Sequence, residues 1–207
     1  AHPDYRDWLL EEAKKYNYVY KDQTLPKDGG VSYPDRYRWE YKTADNLEIT
    51  FRPIRYTDED KLRRFFYSLR EKDVYYRFMG TLKTLPHEKA QPMVMLDYDE
   101  KFAMVGYLGD EGTEEFICVA RWFLDRATNM AEVAFTVRPE YQGRGIGTFL
   151  LRTLMDVAQE KGISGFTAEV LRQNRKMLNV FHKSGCNVHS QLEDGVYAIS
   201  FKFDDKV

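Results

Sequence analysis

Three glycines at alternate positions stand between an apolar strand and a helix, and this segment constrains the fold more than any other. Gly143, Gly145 and Gly147 follow a strand pattern at residues 130–137, and a helical pattern covers residues 147–161. Glycine lets the backbone take positive φ and approach an anion closely. A helix that begins there presents free N–H groups and a partial positive charge. The segment therefore predicts a phosphate-binding turn.

Two common phosphate-binding motifs do not fit this turn. The sequence Gly-Lys-Ser/Thr is absent, so the turn is not a P-loop. The spacing Gly-x-Gly-x-Gly also differs from Gly-x-Gly-x-x-Gly, and Pro139 delays the turn relative to a tight dinucleotide-binding loop. A glycine-rich connection that holds no ligand is the alternative interpretation.

The remaining patterns alternate between strands and helices. Strand patterns cover residues 47–54, 101–109, 114–124, 130–137, 165–171, 186–191 and 196–203. Helical patterns cover residues 58–70, 74–79, 86–96, 147–161 and 174–184. Residues 1–20 are predicted to form a short amphipathic helix, and residues 21–46 a surface linker. This order predicts an α/β (α+β) fold, in which a mixed sheet of about seven strands has helices on both faces.

Charge and composition narrow the function classes. The net charge of −2 gives no strong attraction to nucleic acid, so no nucleic-acid partner is expected. The apolar runs are much shorter than the roughly 20 residues that span a membrane, so no membrane partner is expected either. Two cysteines, Cys118 and Cys186, make neither a disulfide framework nor a metal site. A cytoplasmic protein without a metal is predicted.

The glycine turn also resembles a family motif. Residues 142–147, Gln-Gly-Arg-Gly-Ile-Gly, resemble the Gln/Arg-x-x-Gly-x-Gly/Ala signature of the GNAT acetyltransferases. Residues 131–137 resemble the fourth strand of that family, and residues 169–185 its fifth strand and the Asn-led helix after it. Residues 48–203 follow the family order. The resemblance implies the GNAT fold with a mostly antiparallel sheet, N-acetyltransferase activity, and acetyl-CoA (coenzyme A) as cofactor.

Within the family, the chain is most similar to the acetyltransferase domain of bacterial protein-lysine acetyltransferases. Residues 52–54, 73–78 and 97–99 and Gly106 carry this similarity, which implies a protein lysine as the acceptor amine. Residues 2–13 are similar to the C-terminal tail of the acetyl-CoA hydrolase/transferase family and imply fusion to a CoA-transferase domain. The predicted division is therefore residues 1–46, the tail of a preceding domain, and residues 47–207, the GNAT domain.

The resemblance also assigns a cofactor site. It implies that a strand backbone pairs with the pantetheine arm, that the turn holds the pyrophosphate, and that a helix-capping Asn contacts the cofactor. The residues concerned are Phe135, Thr136, Val137, Gln142, Gly143, Arg144, Gly145, Ile146, Gly147, Thr148 and Asn174.

Glu132 is the candidate catalytic residue. Acetyl transfer needs a neutral amine, so a general base is expected, and Glu132 is a carboxylate inside an otherwise apolar strand. Its position matches the glutamate that the histone-acetyltransferase branch uses as a base. The alternative is a partly exposed structural carboxylate paired with an arginine, such as Arg121 on the preceding strand, and Glu169 is the second candidate base.

One residue departs from the family pattern. Many GNAT enzymes have a tyrosine seven residues after the capping Asn as a general acid, where this chain has Phe181. Two other functions therefore stay open: a regulatory module that binds acyl-CoA without chemistry, and an acetyltransferase for a small-molecule amine.

Overall fold

A computed structural model describes residues 5–25 and 33–207. One sheet has the strand order β1-β2-β3-β4-β5-β6-β8-β7. The strands are β1 (Trp39–Lys42), β2 (Glu48–Pro53), β3 (Lys101–Leu108), β4 (Glu115–Asp125), β5 (Met130–Val137), β6 (Gly165–Leu171), β7 (His189–Glu193) and β8 (Val196–Lys202). All neighbouring strands are antiparallel except β5 and β6, which are parallel.

Six α-helices accompany the sheet in the described part of the chain. They are α1 (Arg6–Lys15), α2 (Glu59–Tyr67), α3 (Glu71–Phe78), α4 (His87–Val94), α5 (Ile146–Glu160) and α6 (Arg175–His182). No helix in residues 5–25 or 33–207 has the length and apolar character needed to cross a bilayer.

The alternation of side chains along β5 shows which helices cover which face. Phe135 points toward α5 and α6, since its ring lies 5.8 Å from that of Phe181. Arg121 of β4 pairs with Ala134, the neighbour of Phe135, and its Nη1 lies 3.5 Å from the Met93 carbonyl in α4. Helices α5 and α6 therefore lie on one face and α4 on the other. This mixed, mostly antiparallel sheet with helices on both faces confirms the predicted fold class.

Strand β1 lies in the segment that the sequence predicted as a linker, residues 21–46. It pairs with β2 from Trp39 opposite Phe51 to Lys42 opposite Glu48, so the sheet has one strand more than the sequence showed. The preceding Tyr37 is buried and stacks on Trp39 with 5.7 Å between ring centroids. The sheet therefore extends across the predicted domain boundary at residue 47.

The N-terminal helix is shorter than predicted. It covers Arg6–Lys15 of the predicted residues 1–20, and none of its residues is buried. Residues 1–4 lie outside the described part of the chain, as do residues 26–32 of the predicted linker. The predicted fusion to a CoA-transferase domain, inferred from this region, stays a prediction.

Candidate active site

Strands β5 and β6 diverge in the middle of the sheet. They pair only from Met130 opposite Gly165 to Glu132 opposite Thr167, whereas β5 pairs with β4 along its whole length. The separation is possible because β6 continues on its other side with β8 as far as Leu171. The C-terminal half of β5 therefore has a backbone edge that no described strand covers.

The register shows which backbone groups lie on this edge. The Arg138 N–H donates to the Ile117 carbonyl at 2.8 Å, and hydrogen-bonded pairs alternate along an antiparallel ladder. The peptide groups of Ala134 and Thr136 therefore point at β4, and those of Phe135 and Val137 point into the gap. The sequence-predicted backbone site at Phe135 and Val137 therefore lies on an edge that no described strand covers, although the Val137 carbonyl already accepts from the Gln142 side chain at 3.1 Å. Thr136 instead offers a buried hydroxyl with no hydrogen-bond partner among the described residues.

The glycine turn follows directly from this strand. A single 3-10 turn over Pro139–Tyr141 leads to Gly143 and Gly145, with φ of 82° and 83°. These angles are strained for residues with a Cβ, which is why glycine occupies both positions. A Cβ on Gly143 would meet nothing within 4 Å, so this glycine faces open space.

Helix α5 begins at the turn with unused amide groups. Its first backbone hydrogen bond runs from the Phe149 N–H to the Gly145 carbonyl at 3.1 Å. The N–H groups of Ile146, Gly147 and Thr148 precede it and have no intrahelical acceptor. Gly147 lets α5 approach its neighbours, since a Cβ there would lie 3.4 Å from Val180 and 3.6 Å from Phe135. The turn thus presents an anion-binding helix terminus beside open space.

Gln142 and Asn174 hold this end of the site in place. The Gln142 amide donates to the Val137 carbonyl at 3.1 Å and to Asp73 at 3.0 Å, and its oxygen accepts from Lys176 at 3.3 Å. Asn174 caps α6 by accepting from the Met177 N–H at 3.3 Å. The predicted cap is therefore present, and Gln142 ties the end of β5 to α3 and α6.

The Arg144 side chain is engaged within the protein. It pairs with Asp45, and its guanidinium carbon lies 5.8 Å from the centroid of the Tyr141 ring. Sequence reasoning missed Tyr41 of β1, whose hydroxyl donates to the Arg144 carbonyl at 3.4 Å. A Cβ on Gly145 would lie 2.6 Å from that hydroxyl, so Tyr41 packs against the turn. The alternation of Trp39, Glu40, Tyr41 and Lys42 is the sequence signal of this strand, but four residues are too few to distinguish a strand from a loop.

Glu132 is exposed at the point where β5 and β6 separate. It is the last β5 residue that pairs with β6, and it lies in an open cleft of about 530 Å³ that also contains Glu169 and His189. The alternative pairing with Arg121 is not present, since neither side chain has an ion pair among the described residues and Arg121 contacts the Met93 carbonyl. The two candidate bases, Glu132 and Glu169, therefore line the same cleft.

Arg77 is the second residue that sequence reasoning missed. Helix α3 packs on β5 and brings the Arg77 guanidinium near Glu132, close enough for the carboxylate charge to act on it. Burial lowers the pKa of Arg77, and the charge of Glu132 opposes this shift. No pattern along the chain joins these two residues, because only helix packing brings them together.

Phe181 is a core residue at the position of the family tyrosine. It is 1% exposed and packs between Phe135 and Phe201. A phenyl ring carries no exchangeable proton, so this position supplies no general acid.

The residues of the turn and of β5 fit an acetyl-CoA molecule. An extended amide-containing arm can pair with the Phe135 peptide groups and the Val137 N–H, as an added strand would. A pyrophosphate suits the N–H groups of Ile146, Gly147 and Thr148, and the open space at Gly143 leaves room for it.

Comparisons with known proteins agree with this geometry. The model of the acetyltransferase (GNAT) family matches residues 56–186. Acetyltransferase PA5475 of Pseudomonas aeruginosa is 26% identical over 139 residues, which cover 67% of this chain and 75% of that protein. Acetyltransferase Pat of Mycolicibacterium smegmatis is 33% identical over 114 residues, which cover 55% of this chain but only 34% of Pat.

A solved structure shares most of this architecture. The GNAT domain of S. lividans PAT superposes with a TM-score of 0.76 at 29% identity, covering 83% of this chain and 100% of that domain. The chain therefore belongs to the GNAT family of acetyltransferases, which use acetyl-CoA as the acyl donor.

Proposed function

We propose that this protein is a protein-lysine N-acetyltransferase in which Glu132 is the general base. One observation carries the proposal: Glu132 lies exposed in the open cleft, immediately before β5 separates from β6. The similarity to Pat and to the S. lividans PAT domain agrees with the resemblance to bacterial protein-lysine acetyltransferases.

The chemistry explains why a base is needed. A lysine with a pKa near 10.4 is neutral in about one molecule in 2500 at pH 7, a cost of roughly 4.6 kcal/mol. A positioned general base typically contributes ~10²–10⁴-fold in rate. Glu132 accepts the proton of the incoming amine, directly or through a water molecule. Acetyl-CoA, when bound, supplies the activated acetyl group.

The other residues bind and orient. The Phe135 peptide groups and the Val137 N–H hold the pantetheine arm, and the amides at the start of α5 hold the pyrophosphate. Gln142 fixes the turn relative to β5 through its bond to the Val137 carbonyl. Asn174 keeps α6 in place as its cap.

The experiment compares wild type, Glu132→Gln and Glu169→Gln by thiol release from acetyl-CoA with a lysine peptide. Glu132→Gln should keep acetyl-CoA affinity and lower the rate at neutral pH by ~10²-fold or more. The loss should shrink toward the pKa of the amine, because the free amine then needs no base. Glu169→Gln is the matched carboxylate control in the same cleft and should retain the wild-type profile.

Three results would contradict parts of the proposal. Parallel pH profiles for wild type and Glu132→Gln would remove Glu132 from the mechanism and make Glu169 or a water chain the next candidate. Tight acetyl-CoA binding without turnover of any amine would indicate the regulatory module. Turnover of free amines but of no protein or peptide lysine would indicate a small-molecule acceptor.

A further inference from the structure

One face of the sheet loses its helical cover at the row of residues that contains Glu132. On β4, Arg121 is 5% exposed beneath α4, whereas Phe123, two residues further along the same face, is 38% exposed. Phe123 lies directly opposite Glu132 in the β4–β5 register, so the two side chains are neighbours on this face. An exposed aromatic ring therefore stands beside the proposed base.

Polar residues continue this row across the sheet. The register pairs Glu132 with Thr167 of β6, which in turn lies opposite Ser200 of β8. Ser200 lies opposite His189 of β7. All four side chains are exposed or half-buried. The same four residues line two clefts, the one of about 530 Å³ already described and a larger one of about 950 Å³, so the two clefts meet along this row.

The larger cleft combines an apolar wall with negative charge. It extends from the row toward the start of β5, where Phe123 and the half-buried Met130 line it. Apart from the proposed base, two carboxylates, Asp125 and Asp205, and one lysine, Lys202, also line it. Apolar surface of this kind is stabilised when a ligand removes it from water. The cleft thus suits a cationic segment that carries an apolar side chain.

The position of the base decides what enters the larger cleft. A general base acts within hydrogen-bond reach of the proton that it removes, so the acceptor amine must approach Glu132. The proposed pantetheine site at Phe135 lies further along β5, whereas the larger cleft lies on the other side of Glu132, toward Met130. Its volume is at the upper end for small-molecule pockets, and one amine side chain does not fill it. Acceptor residues next to the lysine therefore come within reach of Phe123.

We propose that Phe123 is a specificity-determining residue, which binds an apolar side chain adjacent to the acceptor lysine. The inference rests on the proposed function, because it assigns the larger cleft to a lysine-bearing polypeptide. The lysine reaches Glu132 where the two clefts meet, and its apolar neighbour covers Phe123 and Met130.

Matched peptides test this role. One pair carries Leu or Asn immediately before the lysine, and the other pair carries Leu or Asn immediately after it. The two side chains are similar in size and differ in polarity. Wild type should acetylate the Leu member of one pair about tenfold better in kcat/KM, as expected for an apolar contact in a pocket. The preferred pair shows on which side of the lysine the segment crosses the larger cleft.

Variants assign the preference to Phe123. Phe123→Ala should reduce the Leu-to-Asn ratio to about one, mainly through KM, and Phe123→Leu should keep most of it because leucine retains an apolar surface. Leu192→Ala is the matched control and should leave the ratio unchanged, since Leu192 is 46% exposed in β7 but lines neither cleft. A wild-type ratio near one in both pairs, or a preference that survives in Phe123→Ala, would overturn the role of Phe123.

Binding and mass measurements separate this inference from the proposed function. Failure of wild type to acetylate all four peptides would count against the lysine acetyltransferase, and calorimetry of the same peptides in the presence of CoA then decides the role of Phe123. Tighter binding of one Leu peptide, lost in Phe123→Ala, would support this role, and equal binding or no binding would refute it. Sedimentation of wild type as a dimer that Phe123→Ala converts to a monomer would assign the face to a second copy of the chain and also overturn the proposal.

Discussion

Tyr41 and the glycine turn offer a sharp test of how the site is built. Gly143 and Gly145 have nearly equal positive φ, 82° and 83°, but differ in their surroundings. A Cβ on Gly143 meets nothing within 4 Å, whereas a Cβ on Gly145 would lie 2.6 Å from the Tyr41 hydroxyl. Substitution to alanine at each position therefore separates backbone strain from steric overlap.

The expected magnitudes follow from these two terms. Each alanine is held at positive φ, which costs about 1–2 kcal/mol for a residue with a Cβ. Gly145→Ala must also displace Tyr41, whose ring packs against Phe149 at 4.6 Å, and such overpacking costs about 1–3 kcal/mol. Gly143→Ala should therefore lower the free energy of unfolding by about 1–2 kcal/mol, and Gly145→Ala by about 2–5 kcal/mol.

Urea denaturation of the two variants, alone and with Tyr41→Phe, measures these terms as a double-mutant cycle. Removal of the Tyr41 hydroxyl should restore much of the additional unfolding free energy that Gly145→Ala loses. It should restore none of the unfolding free energy that Gly143→Ala loses. Equal losses in the two variants, or no recovery with Tyr41→Phe, would refute the contact. Thermal shifts with acetyl-CoA should also shrink in both variants, because the proposed pyrophosphate site lies in this turn.

Three further predictions concern stability. Gly165→Ala should destabilise the fold by several kcal/mol, because its Cβ would overlap the Phe201 carbonyl oxygen. Gly80→Ala, whose Cβ would have only a 3.8 Å contact, should have little effect on the melting temperature. Although burial raises it, the pKa of Glu114 is lowered to about 2 by Lys61 and by backbone N–H groups. The ionised Glu114 therefore contributes about 3 kcal/mol to the free energy of unfolding, which is present above pH 4.5 and lost as the pH falls toward 2. In acid titrations, Glu114→Gln should flatten this loss of stability, whereas the control Glu111→Gln should not. A chain shortened to residues 47–207 should melt below one shortened to 33–207, because it lacks β1 and the buried Tyr37; equal melting would show that the domain begins at residue 47.

Short-range patterns were enough for most of the fold. The strand predicted at 130–137 and the one at 165–171 have the observed bounds, since each is an apolar run with clear ends. The glycine turn and the Asn174 cap were also visible, because both depend on the conformations that individual residues favour. Strand β1 was missed because four residues between turn-forming segments give too short an alternation to distinguish a strand from a loop.

The sequence by itself determined the strand-turn-helix unit, the family resemblance and the carboxylate proposed as the base. Only the tertiary structure decided that β5 separates from β6 after Glu132, because that depends on how β6 pairs with β8. It also decided that Tyr41 packs on the turn and that Arg77 lies near Glu132. These residues are far apart along the chain, and contacts between distant segments follow from strand register and helix packing rather than from any local pattern.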